Sequence, residues 1–264
     1  MTRDDYETIA WSYRGRILYL TLNRPDRLNA VNARLHAELA RVFTDAANEE
    51  ACDVIVLTGA GRGFCAGGDI EWQEGALDDP QAFARTVVEA KQIIFSMLDC
   101  EKPIIAKVNG PAVGLGCTLA LFCDVIFAAE DAVISDPHVS VGMVAGDGGA
   151  VIWPQLVGYA RAKEFLMTGD RLSAREAERI GLINRAVPRT ELDATVDAFA
   201  DRLAAGATMA IRWTKASINI GLKQLAHSIM DASLAYEAMT NLSSDHREAV
   251  QAFKERRQPV FQGR

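Results

Sequence analysis

Apolar and polar positions alternate twice near the start of the chain, over Thr8–Tyr13 and Arg16–Leu22, with Gly15 between the two runs. Alternation at period two sets one face on a core and the other in solvent, so this stretch predicts a pair of strands joined by a turn. After the Asn-Arg-Pro-Asp break at 23–26 the period changes. Leu35, Leu39, Val42, Phe43 and Ala46 recur at helical spacing within Asn32–Asn48, and Asn32 is placed to cap that helix. Asp53–Thr58 is short and apolar nearly throughout, which predicts a buried strand. Pro80–Asp99 reads as a second amphipathic helix and Pro103–Asn109 as a second buried strand, then a helix from about Leu115 and a strand over Asp124–Ala129. From Arg189 onward every pattern is helical, over Leu192–Ala205, Ala210–Ile220, Leu225–Thr240 and Ser244–Arg256. The expectation is an α/β core over 1–200, its sheet covered by helices, and a helical C-terminal segment over 201–264.

Composition narrows the function more than the fold. With 49% hydrophobic and 24% charged residues in 264, disorder is excluded as the main state. Acidic residues exceed basic ones, 35 to 28, for a net charge of −7, which argues against a uniform basic face for nucleic acid. Cys52, Cys65, Cys100, Cys117 and Cys123 form no CxxC pair and read as reduced, buried thiols of a cytoplasmic protein. The N-terminus has no apolar leader, and Asp124 with two glycines interrupts the apolar stretch 112–129, so neither a secretory signal nor a membrane span is expected. No His, Cys and carboxylate set has metal-ligand spacing, and no metal is expected. His36, His227 and His246 lie in amphipathic helical contexts and are expected at the surface.

Candidate chemistry sits in two glycine-rich turns, Gly59–Ile70 and Asn109–Leu119, each directly after a buried strand. Two such turns side by side can aim two backbone N–H groups at one oxygen, as an oxyanion hole requires. Each can equally just turn the chain and cap a helix. Neither ends in Gly-Lys-Ser/Thr, and Gly110–Gly116 holds no clean GxGxxG, so the nucleotide-binding alternatives fit poorly.

Five blocks carry a resemblance: LNRPDRLNAVN (22–32), GRGFCAGGDI (61–70), VNGPAVGLGCTLALFCDVIFA (108–128), LMTGDRLSAREAERIGLINRAV (166–187) and AFKERRQPVFQGR (252–264). In content and order they resemble the crotonase, or enoyl-CoA hydratase/isomerase, superfamily. The resemblance implies a spiral of ββα units with a helical C-terminal region that trimerises, as a homotrimer or hexamer. It implies an acyl-CoA substrate, with coenzyme A part of the substrate and no other cofactor. The oxyanion amides fall on Ala66 and Leu115. Arg24 meets a phosphate or is a solvated cation. Cys65, Gly68, Asp69 and Ile70 line the coenzyme path, Gly114 and Thr118 border the acyl site, and Phe253, Lys254, Arg256 and Arg257 reach a neighbour's site.

The resemblance breaks where a hydratase carries two glutamates, because Thr118 and His138 stand there. A threonine hydroxyl does not shuttle protons near neutral pH. His138 and Asp147, in a segment rich in glycine (142, 146, 148 and 149), instead resemble the catalytic pair of 6-oxocamphor hydrolase-like β-diketone hydrolases. Glu237 matches the assisting acid of that branch, while Leu115 stands where the branch has a second histidine. Such a pair implies an Asp147–His138 hydrogen bond and a neutral imidazole that activates water. The expected reaction is hydrolytic C–C cleavage (retro-Claisen) of a β-keto thioester or β-diketone. The alternatives are an enoyl-CoA hydratase/isomerase with non-standard acid and base residues, and a non-catalytic acyl-CoA-binding homologue.

Overall fold

A computed structural model describes residues 5–77 and 79–264. The two alternating runs form an antiparallel pair, β1 (Ile9–Arg14) and β2 (Ile17–Leu22), with Ile9 opposite Leu22 and the turn made at Gly15. Helix α1 (Ala33–Asn48) starts where Asn32 accepts a hydrogen bond from the Leu35 N–H, and buries Leu35, Leu39, Val42 and Phe43. The chain then lays down β3 (Val54–Gly59), α2 (Ile70–Ala76), α3 (Pro80–Asp99) and β4 (Ile104–Val108). Next come β5 (Ala112–Val113), α4 (Leu115–Leu121), β6 (Val125–Ala129) and β7 (Val133–Ser135). After a 3-10 turn at His138–Val141 follow α5 (Gly149–Thr168), β8 (Leu172–Ser173), α6 (Ala174–Arg179) and β9 (Arg185–Val187). Three helices complete the chain: α7 (Arg189–Ala204), α8 (Thr208–Asn241) and α9 (Ser244–Glu255).

The main sheet has six strands in the order β1-β2-β3-β4-β6-β9, parallel except for the first pair. Parallel strands inside such a sheet are covered on both faces, and every residue of β3 is buried. Helix α7 packs against β2, β3, β4 and β6, while α3 packs between α1 and α8. A second sheet has three strands in the order β5-β7-β8. These strands and β9 have two or three residues each, too few for any period to show in sequence. Residue 200 falls inside α7, so a single helix joins the sheet to the C-terminal segment. The two predicted helices over 210–240 are one 34-residue helix, α8, which runs straight through Gly221. Among the described residues no helix is long and apolar enough to cross a membrane.

Candidate active site

Strand ends β3 and β4 deliver the two glycine turns to one place, where backbone bonds join them. The Cys65 N–H donates to Pro111 O (2.9 Å), the Val113 N–H to Cys65 O (2.9 Å), and the Gly114 N–H to Ser135 O (3.0 Å). Asn109 and Asn29 brace the first turn from below, donating to the Gly59 and Ala60 carbonyls, each at 2.9 Å. Gly114 has φ +54°, and a Cβ on Gly67 would lie 2.9 Å from the Val113 carbonyl, so the turns touch backbone to backbone at Gly67 and Gly114.

The first amide of the expected oxyanion hole is misplaced. The Ala66 N–H is taken, donating to Leu28 O at 3.1 Å. Gly68 is the alternative in the same turn. The Val31–Gly68 bridge uses the Gly67 carbonyl and the Asp69 N–H, at 2.7 and 2.8 Å, and in a parallel bridge this turns the Gly68 N–H away from Val31. Leu115 is the first residue of α4, where an N–H has no partner within the helix. Gly68 and Leu115, each following one of the touching glycines, both border the cavity described next.

A cavity of about 710 Å³ opens over these turns, walled by Val31, Trp72, Phe83, Val87, Met143 and Leu234. Its polar side holds His138, Asp147 and Glu237, all predicted from sequence, while Asp136, which was not, lies buried against His138 and does not border the cavity. The closest partner of the histidine is Asp136: Nδ1 bonds to Asp136 Oδ1, while Nε2 lies 3.6 Å from Asp147 Oδ2. The expected Asp147–His138 hydrogen bond is thus replaced by a longer ion-pair contact through Nε2, and the hydrogen bond of the ring goes to Asp136. Burial disfavours the charged ring, but Asp136 and Asp147 outweigh it and hold His138 protonated well above its ordinary range. A neutral imidazole base at neutral pH is therefore not what this geometry supplies.

Asp147 does not cap α5, whose N-cap is Gly148. It accepts from the Thr118 hydroxyl at 3.2 Å. Burial raises its pKa, while His138 and Thr118 pull it back. Glu237 reaches the same cavity from α8 with one carboxylate oxygen unpartnered. Burial, and then the Asp147 charge, push its carboxyl up to about 8. Asp136, His138 and Asp147 offer ligand atoms within 4.8 Å of one another, the one such group among the described residues. Because each ring nitrogen already faces a carboxylate, the trio suits a shared proton better than a metal ion.

The remaining predicted residues divide. Gly68, Asp69, Ile70 and Gly114 border the cavity. Arg24 is turned inward, bonded to Ala30 O and paired with Asp69 at 3.0 Å, so Asp69 neutralises that cation. Cys65 lies fully buried behind the turn, its thiol pushed up by burial to about 12, and Thr118 lies behind Asp147; neither borders the cavity. Two histidines expected at the surface are buried. His36 borders the cavity with Nδ1 2.6 Å from Glu89, and His246 has Nδ1 2.7 Å from Val141 O. His227 is exposed, against Phe95. The signal for His36 was available: it adjoins Leu35 and precedes Leu39 by three, on the apolar stripe of α1. Phe253 borders this chain's own cavity, and Lys254 pairs with Glu74 of α2 at 2.6 Å, so α9 folds back on its own protomer.

Comparison with known proteins gives one answer throughout. Residues 13–264 match the enoyl-CoA hydratase/isomerase family. The 1,2-epoxyphenylacetyl-CoA isomerase of Escherichia coli is 34% identical over 94% of this chain and 95% of its own. A crystal structure of an enoyl-CoA hydratase/isomerase from Mycobacterium paratuberculosis superposes with a TM-score of 0.90, at 38% identity over 94% of this chain and 99% of that one. A β-diketone hydrolase from the cyanobacterium Anabaena, bound to (S)-3-oxocyclohexyl acetic acid, superposes with a TM-score of 0.84 at 29% identity, covering 90% of this chain and 96% of that one.

Proposed function

Since the chain belongs to the enoyl-CoA hydratase/isomerase family, we propose that it moves protons along the acyl carbons of a coenzyme A thioester, isomerising a 3-enoyl-CoA to its 2-enoyl form. The observation that carries this reading is a pair of buried carboxyl groups bordering one cavity with different partners, Asp147 beside His138 and the Thr118 hydroxyl, Glu237 with no hydrogen-bonding donor on Oε2. Asp147 faces a charged His138 and is the base. Glu237, pushed up to about 8 by burial and the Asp147 charge with only a partial offset from His138, is the acid. Environments that separate two carboxyl pKa values assign the acid and base roles.

In the proposed cycle Asp147 takes a proton from Cα and the electron pair moves onto the thioester oxygen. There the Gly68 and Leu115 N–H groups stabilise the enolate; one such donor contributes about 3 kcal/mol in typical cases. The enolate then takes a proton at Cγ from Glu237, the double bond moves into conjugation, and proton exchange between the two carboxyl groups resets the site. Relatives named enoyl-CoA hydratase/isomerase support this reading.

Cleavage of a β-dicarbonyl is the second reading, favoured by the His138–Asp147 contact and the likeness to the β-diketone hydrolase. A 3-enoyl-CoA assay in deuterated buffer separates the two. Isomerisation gives a growing conjugated-enoyl absorbance with deuterium in the product, and Glu237→Gln and Asp147→Asn each slow it by about 10²–10⁴. Its rate falls as pH rises through the Glu237 pKa, about 8. A rate that instead falls as pH drops through a histidine range, with cleavage of a cyclic β-diketone and no isomerisation, replaces the proposal with the hydrolase. We propose in addition that the chain works as a trimer formed through α8.

A further inference from the structure

The carboxylate–imidazole arrangement expected at His138 stands elsewhere on the cavity wall. His36 is 2% exposed and borders the cavity, and its Nδ1 lies 2.6 Å from Glu89 Oε2 on α3. A carboxylate accepts and does not donate, so Nδ1 carries the hydrogen and the neutral ring presents a lone pair at Nε2. Among the described residues nothing bonds to Nε2, and it is not one of the unpartnered side-chain atoms sealed from solvent. That nitrogen therefore opens onto the cavity. Local structure also sets it beside the oxyanion amides. Val31 is bridged to Gly68, Asn32 caps α1 immediately after Val31, and His36 falls in the first turn of that helix. On the other side of the bridge Asp69 caps α2, and Trp72 falls in its first turn. The His36 and Trp72 rings meet with centroids 5.3 Å apart. A helical turn advances about 5.4 Å, so each ring is carried about one turn from the bridged pair.

We infer that His36, positioned by Glu89, gives the site a second activity, hydrolysis of the thioester held at the Gly68 and Leu115 N–H groups. This rests on the acyl-CoA reading and adds to it a reaction that needs no double bond. A water between His36 and the thioester gives a proton to Nε2 as its oxygen bonds to the carbonyl carbon. The carbonyl electron pair moves onto oxygen, where the two amides stabilise the tetrahedral oxyanion. Collapse of that intermediate breaks the C–S bond, and the imidazolium returns its proton to the departing coenzyme A thiolate. The products are the free acid and coenzyme A, and water is the one co-reactant. Glu89 touches neither water nor thioester. It is a positioning residue, which fixes the tautomer of the ring and stabilises the imidazolium.

The test uses hexanoyl-CoA, which is saturated and so cannot isomerise, with coenzyme A thiol release by the full chain followed with a thiol-reactive dye. The expected result is release that depends on the enzyme and that His36→Gln lowers by about 10²–10⁴, the usual contribution of a general base. Glu89→Leu is expected to lower it as well, and Glu89→Asp to restore part of the rate. Each rate is taken per binding-competent protein, counted by calorimetric titration with S-hexyl-CoA, a thioether that cannot be hydrolysed. A partly misfolded variant therefore does not imitate the loss. The wild-type measurement stands without any variant. S-hexyl-CoA binding without release of thiol from hexanoyl-CoA overturns this inference alone, as does a rate that His36→Gln leaves unchanged. Absence of binding by any coenzyme A derivative overturns the acyl-CoA reading beneath it.

Discussion

His138 keeps its charge because a carboxylate faces each of its ring nitrogens, and Asp136 stands closer. Asp136→Asn is expected to lower the imidazole pKa by about 1–3 units, the usual range for losing an adjacent opposite charge, read by NMR titration of the ring protons. The stability consequence has a definite sign. A histidine whose pKa is raised on folding stabilises the fold below its unfolded value, about 6.5, and that contribution is lost as pH rises through the folded value. The variant should thus lose most stability, on the order of 3 kcal/mol, below pH 6, with the gap to wild type closing in alkali. Glu237 also has a raised pKa, but there the neutral form is the folded one. Between its ordinary 4.5 and about 8 the unfolded chain is ionised and the folded one is not, so stability falls as pH rises through this window. Glu237→Gln should therefore fold more stably at pH 7 while losing turnover. His138, Asp147 and Glu237 were legible in sequence because they stand at family positions. Asp136 was passed over because Pro137 (φ −92°, ψ 28°) turns the chain out of the strand into the 3-10 turn at His138, so no regular period ties the two side chains together. Ala66 was chosen over Gly68 because sequence does not show which amide of a turn the neighbouring backbone has already used.

At the scale of elements, the long strands and helices declared themselves by period, and Pro80–Asp99 was bounded as observed. Helix α8 did not: its pattern predicted two helices, Ala210–Ile220 and Leu225–Thr240, on either side of Gly221, where the structure has one. An isolated glycine costs a helix only about 1 kcal/mol relative to alanine, which is small beside the buried stripe Lys215, Asn219, Ala226, Met230, Leu234 and Glu237. Two glycines therefore predict opposite outcomes for the same substitution. No atom lies within 4 Å of a Cβ built on Gly221, so Gly221→Ala should stabilise the protein by about 1 kcal/mol. At Gly116 in α4 the new methyl would fall 2.4 Å from the Cys65 carbonyl oxygen. Gly116→Ala must push the two glycine turns apart, with a cost of about 1–3 kcal/mol and a loss of kcat from the displaced Gly68 and Leu115 amides. Urea denaturation of both variants checks the pair. A Gly116→Ala protein with unchanged kcat would show that the turns do not need this contact.

The whole chain presents more apolar surface on α8 than a monomer keeps covered. Met209, Trp213 and Ile220 share one side of its first half, and Tyr236, Met239 and Leu242 stand out at its end, each of them more than half exposed. Clusters of exposed large apolar side chains of this kind mark an interface, and cyclic closure around it makes the arrangement finite. The C-terminal tail does not compete for this role, since Lys254 pairs with Glu74 and Ser244 holds the Arg264 carbonyl within the same protomer. Each protomer carries a net charge of −7, so protomers repel at long range and association must come from apolar burial. The expected outcome is a species of three times 28.7 kDa by light scattering at micromolar concentration, which added salt does not dissociate because salt screens the repulsion. Trp213→Glu combined with Met239→Lys should reduce that species to monomers with little change in fold, as read by circular dichroism. A wild-type protein that runs as a stable monomer, or a double variant that stays trimeric, would place the assembly surface elsewhere than α8.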